Sequence, residues 1–235
     1  MTDAARGSVA PRAAPRPVSL EDVKRDREVE AYITKADQYT RAIGYTEHGV
    51  RHANLVASIA GNVLRRLGRD DRDVQLAAIA GYLHDIGNLV GRVNHEHTGA
   101  LLAKDILRRL GMEPPEMATI MGAIGNHEEQ TGEPVSDVGA ALIISDKSDV
   151  HRTRVRTADP ADFDIHDRVN HAVQHSFLRV DDAARTITLE LTIDTRLSQV
   201  MEYFEIFLPR MVMCRRAAKW LGCEFKLQIN GTKLL

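Results

Sequence analysis

Between about residues 20 and 157 apolar side chains recur every three or four positions with polar ones between them, the rhythm of amphipathic helices. The pattern predicts helices near 20–43, 47–67, 71–86, 96–110, 114–129 and 136–151. Gly68, Gly87, Gly91, Gly111 and Gly132 fall at or near the breaks, where a helix end suits a residue tolerant of positive φ. Gly87 is read as ending the third helix and nothing more. Pro114 and Pro115 suit the first turn of the next helix. After the polar stretch "RTADPADFDIHD" the period falls to two. "ITLELTI" alternates Ile187, Leu189, Leu191 and Ile193 with polar residues, and "EFKLQING" does the same with Phe225, Leu227 and Ile229. Both read as half-buried strands, and "SFLRV" is expected to pair with the first as a hairpin. The run "LSQVMEYFEIFLPRMVMCRRAAKWLG" between them reads as a helix kinked at Pro209. The expected organisation is a disordered tail over 1–18, a helical core over 19–157 and a small α+β appendage over 158–235.

Composition narrows this picture. The 235 residues are enough for one large core, alone or with a small appendage. A formal net charge of −2 gives no global attraction to nucleic acid or anionic membrane. Aromatic residues are 5% of the chain, and the basic N-terminal stretch lacks interleaved aromatics, which argues against a nucleic-acid partner. Cys214 and Cys223 are the only cysteines, too few for a disulfide scaffold, so a cytoplasmic setting is expected. Apolar runs fall short of the roughly 18 residues of a membrane helix, and no membrane partner is expected. "MTDAARGSVAPRAAPRPVS" has no apolar signal-peptide core and reads as a Pro/Ala/Arg-rich tail.

Polar residues on the apolar stripes carry the chemistry. His52 leads Leu55, Val56, Ile59 and Val63 along one helix face. His84 and Asp85 close the run "VQLAAIAGYL"; His95 leads Gly99, Leu102 and Ile106. Met117, Ile120, Met121 and Ile124 lead to His127, and Leu142 and Ile143 lead to Asp146 and Val150. A single histidine on such a face is commonly a core residue bonded to a carbonyl. Four imidazoles and two carboxylates in one interior are another matter, since each unpaired buried polar group costs about 1–3 kcal/mol. One or two divalent ions would satisfy all six. Histidine and carboxylate without thiolate suit Fe, Mn, Co, Ni or Zn in a catalytic rather than a structural site.

This series resembles the HD-domain superfamily of metal-dependent phosphohydrolases. "RHANLVASIA" is similar to the segment of the family's first His, "YLHDIGN" to its His-Asp dyad, and "HEHTGALLAKDIL" to its next His, which selects His95 over His97. "AIGNHEE" supplies His127, and "LIISDKSDV" resembles the closing Asp helix, selecting Asp146. The resemblance spans about residues 46–157 and implies a mainly α fold, an HD-domain helical bundle with a small C-terminal α+β appendage. The chain departs from the HD-GYP phosphodiesterases, which carry Lys where Asn88 stands and a Gly-Tyr-Pro element absent from "HEEQTGEP".

The implied activity is hydrolysis of a phosphate ester or anhydride, of a nucleotide, by a metal-activated hydroxide. Two ions are expected, with His52, His84, Asp85 and Asp146 on one, His95 and His127 on the other, and Asp85 bridging. In "KSDVHRTRVR", Lys147 and Arg152 are candidate phosphate contacts ahead of Arg154 and Arg156. Asp149 is a candidate to orient a ligand or pair with an arginine. His48, one turn before His52, is a spare ligand or proton donor. His166–Asp167 reads as a solvated surface pair, and His171 and His175 as an exposed face. The alternative function is a nucleotide-sensing module that retains the pocket. Homo-oligomerisation is left open.

Overall fold

The protein is described here by a computed structural model of residues 16–157 and 159–234. Positions 1–15 of the expected tail lie outside the described residues. Its last positions are packed: Arg16 pairs with Asp22, and Val18 is buried while its carbonyl accepts from Arg72. Packing therefore begins before residue 19, because the domain covers the apolar surface of Val18.

Among the described residues, the expected first helix is two helices. Ser19 opens α1 (Leu20–Lys24) in a capping box with Asp22, and Asp26 caps α2 (Arg27–Ala42) by accepting from the amides of Glu28 and Val29. A second capping residue inside the run restarts the helix. Then follow α3 (Val50–Arg66), α4 (Asp71–Leu83), α5 (His95–Arg109), α6 (Pro114–Gly125) and α7 (Asp137–Ser148). Helices α4 and α7 are central. Every residue from Val138 to Ser148 is buried, as is every residue from Leu76 to Leu83, so over those stretches neither helix presents a solvent face. Gly81 lets α4 lie against α3, where a Cβ would stand 2.9 Å from Ala57 Cα. Helices α3 and α6 pack on the central pair, and α5 closes over α6.

The C-terminal elements are α8 (Ile165–Ala172), β1 (Val173–Asp181), β2 (Thr186–Ile193), α9 (Val200–Trp220), β3 (Glu224–Ile229) and β4 (Thr232–Lys233). The sheet order is β1-β2-β3-β4. β1 and β2 form the expected antiparallel hairpin, while β2 and β3 are parallel, with α9 as the crossover that parallel strands require. Ile187, Leu189 and Leu191 stand in register with Phe225, Leu227 and Ile229, all buried. Helix α9 runs through Pro209 without interruption and packs on α7. The buried apolar residues form one cluster, from Val18 to Ile229, continuous across residue 157.

Candidate metal centre

His52 is the third residue of α3. His84 and Asp85 follow directly on α4. Successive residues of an α-helix point about 100° apart. Asp85 instead leaves the helix with φ −91° and ψ 1° and opens a 3-10 turn, Ile86–Leu89. His95 is the first residue of α5, entered through Asn94 at φ 59°. His127 lies two residues beyond α6, and Asp146 is in the last turn of α7. The expected helices over 71–86 and 114–129 thus ran too far, because the chain leaves the helix where His84, Asp85 and His127 turn inward. Gly87 does more than end a helix. A Cβ there would stand 1.9 Å from the carbonyl oxygen of His95, so the 3-10 turn rests directly on the start of α5.

All six residues are buried and meet in one place. Each imidazole is oriented through Nδ1: His52 donates to Asp149 Oδ2 at 2.7 Å, His84 to Gly81 O at 2.9 Å, His95 to Arg92 O at 3.1 Å and His127 to Ile124 O at 2.6 Å. With the proton on Nδ1, each Nε2 is left as an acceptor. The Nε2 atoms of His52 and His84 are 3.2 Å apart, and those of His95 and His127 also 3.2 Å. Asp85 Oδ2 stands 3.5 Å from His52 Nε2 and 3.3 Å from His84 Nε2; Asp146 Oδ1 stands 3.3 Å and 3.6 Å from the same atoms. The other oxygen of Asp85, Oδ1, faces His95 Nε2 at 3.4 Å.

His52, His84, Asp85 and Asp146 thus converge as acceptors without a donor among them, and Asp85 Oδ2 has no hydrogen-bond partner. Two atoms each about 2.1 Å from a shared ion, 90–120° apart, lie about 3.0–3.6 Å from each other. The observed separations fit that spacing, so the cluster can hold a metal. Without an ion a proton does the work. Burial would lower the pKa of His84, but Asp85 and Asp146 outweigh it and push it up to about 10. Burial would raise Asp85 and Asp146, yet His84 and Lys147 respectively hold them well below the usual carboxylate range. His127 is held well below its ordinary value by burial and the charge of His84.

The HD domain family model matches residues 49–193, more than half of the chain. The chain belongs to the HD domain family. A search of curated proteins found no match. Among matching solved structures is one from an uncultured Thermotogales bacterium, described as a predicted HD superfamily hydrolase. It is 27% identical over 53% of this chain and 68% of that chain, with a TM-score of 0.43. An HD domain with a His/Asp cluster able to bind metal is the equipment of a metal-dependent hydrolase.

Around the HD centre, Asn88 donates to Asp85 Oδ1 at 3.0 Å. Asp149, the candidate to orient a ligand or pair with an arginine, accepts from His52 and, at 2.8 Å, from Arg51. Lys147 is buried, 2.8 Å from Asp146 Oδ2 and 2.7 Å from Glu129 Oε2. Arg152 is not brought to the cluster: it is exposed, and its charge acts on Asp194. The stretch forms a 3-10 turn, Arg152–Arg154, in which residues two apart point to different sides. It is Arg154 that is buried, donating to the carbonyls of Asp149 and Glu47. Arg156 bonds Asp37. His97 stays exposed, and His171 and His175 lie on different elements, α8 and β1.

A cavity of about 280 Å³ adjoins the centre, lined among others by Tyr45, His48, Arg92, Arg154, Asn170 and Arg210. Arg92 reaches from it to 3.1 Å from His95 Nε2 and 4.0 Å from Asp85 Oδ1. His48 donates from Nδ1 to Thr46 O at 2.6 Å, and its ring centroid is 5.6 Å from that of His52. His166, expected on a solvated surface, is exposed but also lines this cavity. Arg92, Arg210 and Asn170 escaped the sequence reading. Arg92 carries one local signal, its position three residues before His95.

Proposed function

We propose that this protein is a metal-dependent phosphohydrolase that cleaves a phosphate ester or anhydride of a nucleotide, using two divalent ions. The observation that carries the reading is the acceptor-only His/Asp centre beside a cavity lined by three guanidinium groups, Arg92, Arg154 and Arg210. One ion is assigned to His52, His84, Asp85 and Asp146, the other to His95, His127 and Asp85. The division of the two Asp85 oxygens between His52–His84 and His95 supports a bridging role. Divalent ions bound there supply Lewis acidity toward a phosphoryl oxygen and a water that ionises near neutrality.

The chain's own residues do the rest. Asp149 holds His52 in the tautomer that leaves Nε2 free, the part a carboxylate plays behind a metal-bound histidine. Lys147 is assigned to fixing Asp146, since its ammonium is already engaged by Asp146 and Glu129. Arg92 spans the cavity and the centre and is placed to grip a phosphate, whose oxygens match a guanidinium fork. Arg152 is withdrawn from that role.

The test is a hydrolysis screen over nucleoside mono-, di- and triphosphates, dinucleoside polyphosphates, cyclic dinucleotides and an aryl phosphate, with Mn²⁺, Fe²⁺ or Ni²⁺ supplied. Turnover that a chelator abolishes is the expected result. Metal-loaded protein that binds nucleotides without turning any over would replace this reading with the sensing module.

A further inference from the structure

The cavity beside the metal centre is lined by three guanidinium groups, Arg92, Arg154 and Arg210, against one carboxylate, Asp164, which is engaged by the amide of Asp167. The three differ in what they leave free. Arg154 is buried and donates to the carbonyls of Asp149 and Glu47, so it belongs to the wall. Arg92 reaches the centre itself, 3.1 Å from His95 Nε2. Arg210 stands apart. Its one ion pair among the described residues is with Glu129, at 3.1 Å through Nε. Glu129 in turn meets the centre only by way of Lys147, which holds Asp146.

The setting of Arg210 prepares it for a ligand. Its guanidinium carbon lies 4.7 Å from the centre of the Phe207 ring, a cation–π contact that fixes the plane of the group. The bond from Nε to Glu129 fixes one edge. Nη1 and Nη2 have no hydrogen-bond partner among the described residues, and neither is a sealed atom: the side chain keeps 21% of its surface. A guanidinium held by its face and by Nε presents an ordered fork, and a phosphate or carboxylate matches that fork bidentately. A phosphoryl group bound at the ions meets Arg92. A fork set off from the centre by Glu129 and Lys147 meets the next anionic group along the same substrate. The cavity, about 280 Å³, lies just below the range of drug-sized pockets and suits a compact group beside the scissile phosphate.

We propose that the substrate carries a second phosphoryl group beyond the scissile one, and that Arg210 binds this second group through Nη1 and Nη2. Arg210 is then a specificity-determining residue, supplied to the centre's cavity by α9 from the C-terminal elements. The placement of the scissile phosphate rests on the phosphohydrolase reading above; the second anion site rests on Arg210. Paired phosphoryl groups have two sources, an anhydride as in a nucleoside diphosphate or a second ester as in a nucleoside bisphosphate, and both belong in the test.

The experiment is calorimetric binding to the whole, metal-loaded chain of methylphosphonate, which has one anionic group, and methylenebisphosphonate, which has two and is not hydrolysed. The parent is expected to bind the second about 10- to 100-fold more tightly, the effect of charge-assisted hydrogen bonds. In Arg210→Gln that preference should fall about tenfold or more, whereas in Arg92→Gln both probes should weaken and the preference persist. A merely structural Arg210 would weaken both probes alike. A parent without preference, or a preference unchanged in Arg210→Gln, would overturn the proposal. If Arg210→Gln does not fold, Arg210→Lys carries the test, since it keeps a charge for Glu129 and loses the fork. A preference cut at least about threefold then supports the assignment, and an unchanged one sinks it. Turnover names the source: kcat/KM is compared for a nucleoside 5′-monophosphate, its 5′-diphosphate and its 3′,5′-bisphosphate. The better of the last two is the expected class, and a monophosphate preferred to both counts against a second phosphoryl site. If nothing is hydrolysed, the phosphohydrolase reading falls, and the binding ratios still decide the role of Arg210.

Discussion

Replacing Asp149 by asparagine tests whether the centre works as described while adding almost no change of shape. Asp149 closes α7, one turn beyond Asp146, and its side chain is 1% exposed. It accepts from His52 Nδ1 at 2.7 Å and from Arg51 at 2.8 Å. Burial would raise its pKa, but the charge of Arg154 and the bond from His52 hold it well below the usual range, so it acts as an anion. In Asp149→Asn the amide has two choices. Offering its oxygen keeps the His52 tautomer but forfeits the charge, and a neutral bond is about half as strong. Offering its NH₂ forces the imidazole proton onto Nε2, where it blocks an ion. Losing a partner of this kind costs 10- to 100-fold in metal affinity, about 1.4–2.7 kcal/mol. Stability should suffer less than the 3–5 kcal/mol of a broken buried pair. Arg51 keeps Glu47 at 2.7 Å, and Arg154 keeps its two carbonyls. About 1–3 kcal/mol is expected, a fall in Tm of about 2–12 °C. The assay is a competition titration of Mn²⁺ or Zn²⁺ against a chelator, beside thermal unfolding of the metal-free protein. Affinity within twofold of the parent, in a folded variant, would refute the argument that Asp149 readies His52 for an ion.

Three further outcomes follow from the same geometry. Metal analysis of Mn²⁺- or Fe²⁺-reconstituted protein should find about two ions in the parent and about one in His95→Ala/His127→Ala; one ion in both would remove the second site and the bridging role of Asp85. Gly87→Ala drives a Cβ to 1.9 Å from the backbone oxygen of His95, so urea unfolding should show a loss of at least about 3 kcal/mol, and a change under 0.5 kcal/mol would refute the close approach. In the metal-free protein the raised pKa of His84, about 10 against an ordinary 6.5, means that its imidazolium stabilises the fold fully below pH 6.5 and that this contribution fades as pH rises through 10. An ion binding at pH 7.5 must therefore displace a proton, and calorimetry in buffers of different ionisation heat should read about one proton released per ion at this site; none released would refute it.

What the chain disclosed in advance was whatever one segment encodes by itself. His52 lies on a stripe with Val56 and Val63, and His127 follows Ile120 and Ile124, because a helix face that enters a core must be apolar except where it delivers a ligand. The alternation of Ile187, Leu189 and Leu191 is equally local. The cavity was illegible for the opposite reason. Tyr45, Arg92, Arg154, Asn170 and Arg210 come from separate parts of the chain, and no periodicity relates them. Arg152 and Arg154 show how fine the margin is. They are two residues apart in one basic run, and only the 3-10 turn decides which is buried. The break between α1 and α2 was signalled by Asp26, a capping residue inside a run that otherwise reads as continuous.

The placing of the histidines at helix ends has a physical reason. Deep inside a helix the carbonyls are engaged by amides four residues on, so an imidazole there finds no free acceptor for Nδ1 on its own helix. The last turn leaves its carbonyls without an amide four residues on. His84 takes the carbonyl of Gly81 and His127 that of Ile124, each three residues earlier, at the ends of α4 and α6. His95 takes the carbonyl of Arg92, again three residues earlier, in the turn that enters α5. The backbone therefore fixes three of the four tautomers without any further side chain, and each fixed Nδ1 leaves an Nε2 that can only accept. His52, in the first turn of α3, has no such carbonyl behind it, and there Asp149 is needed. That is why a single buried carboxylate outside the cluster matters to this centre: it serves the one imidazole that the backbone cannot.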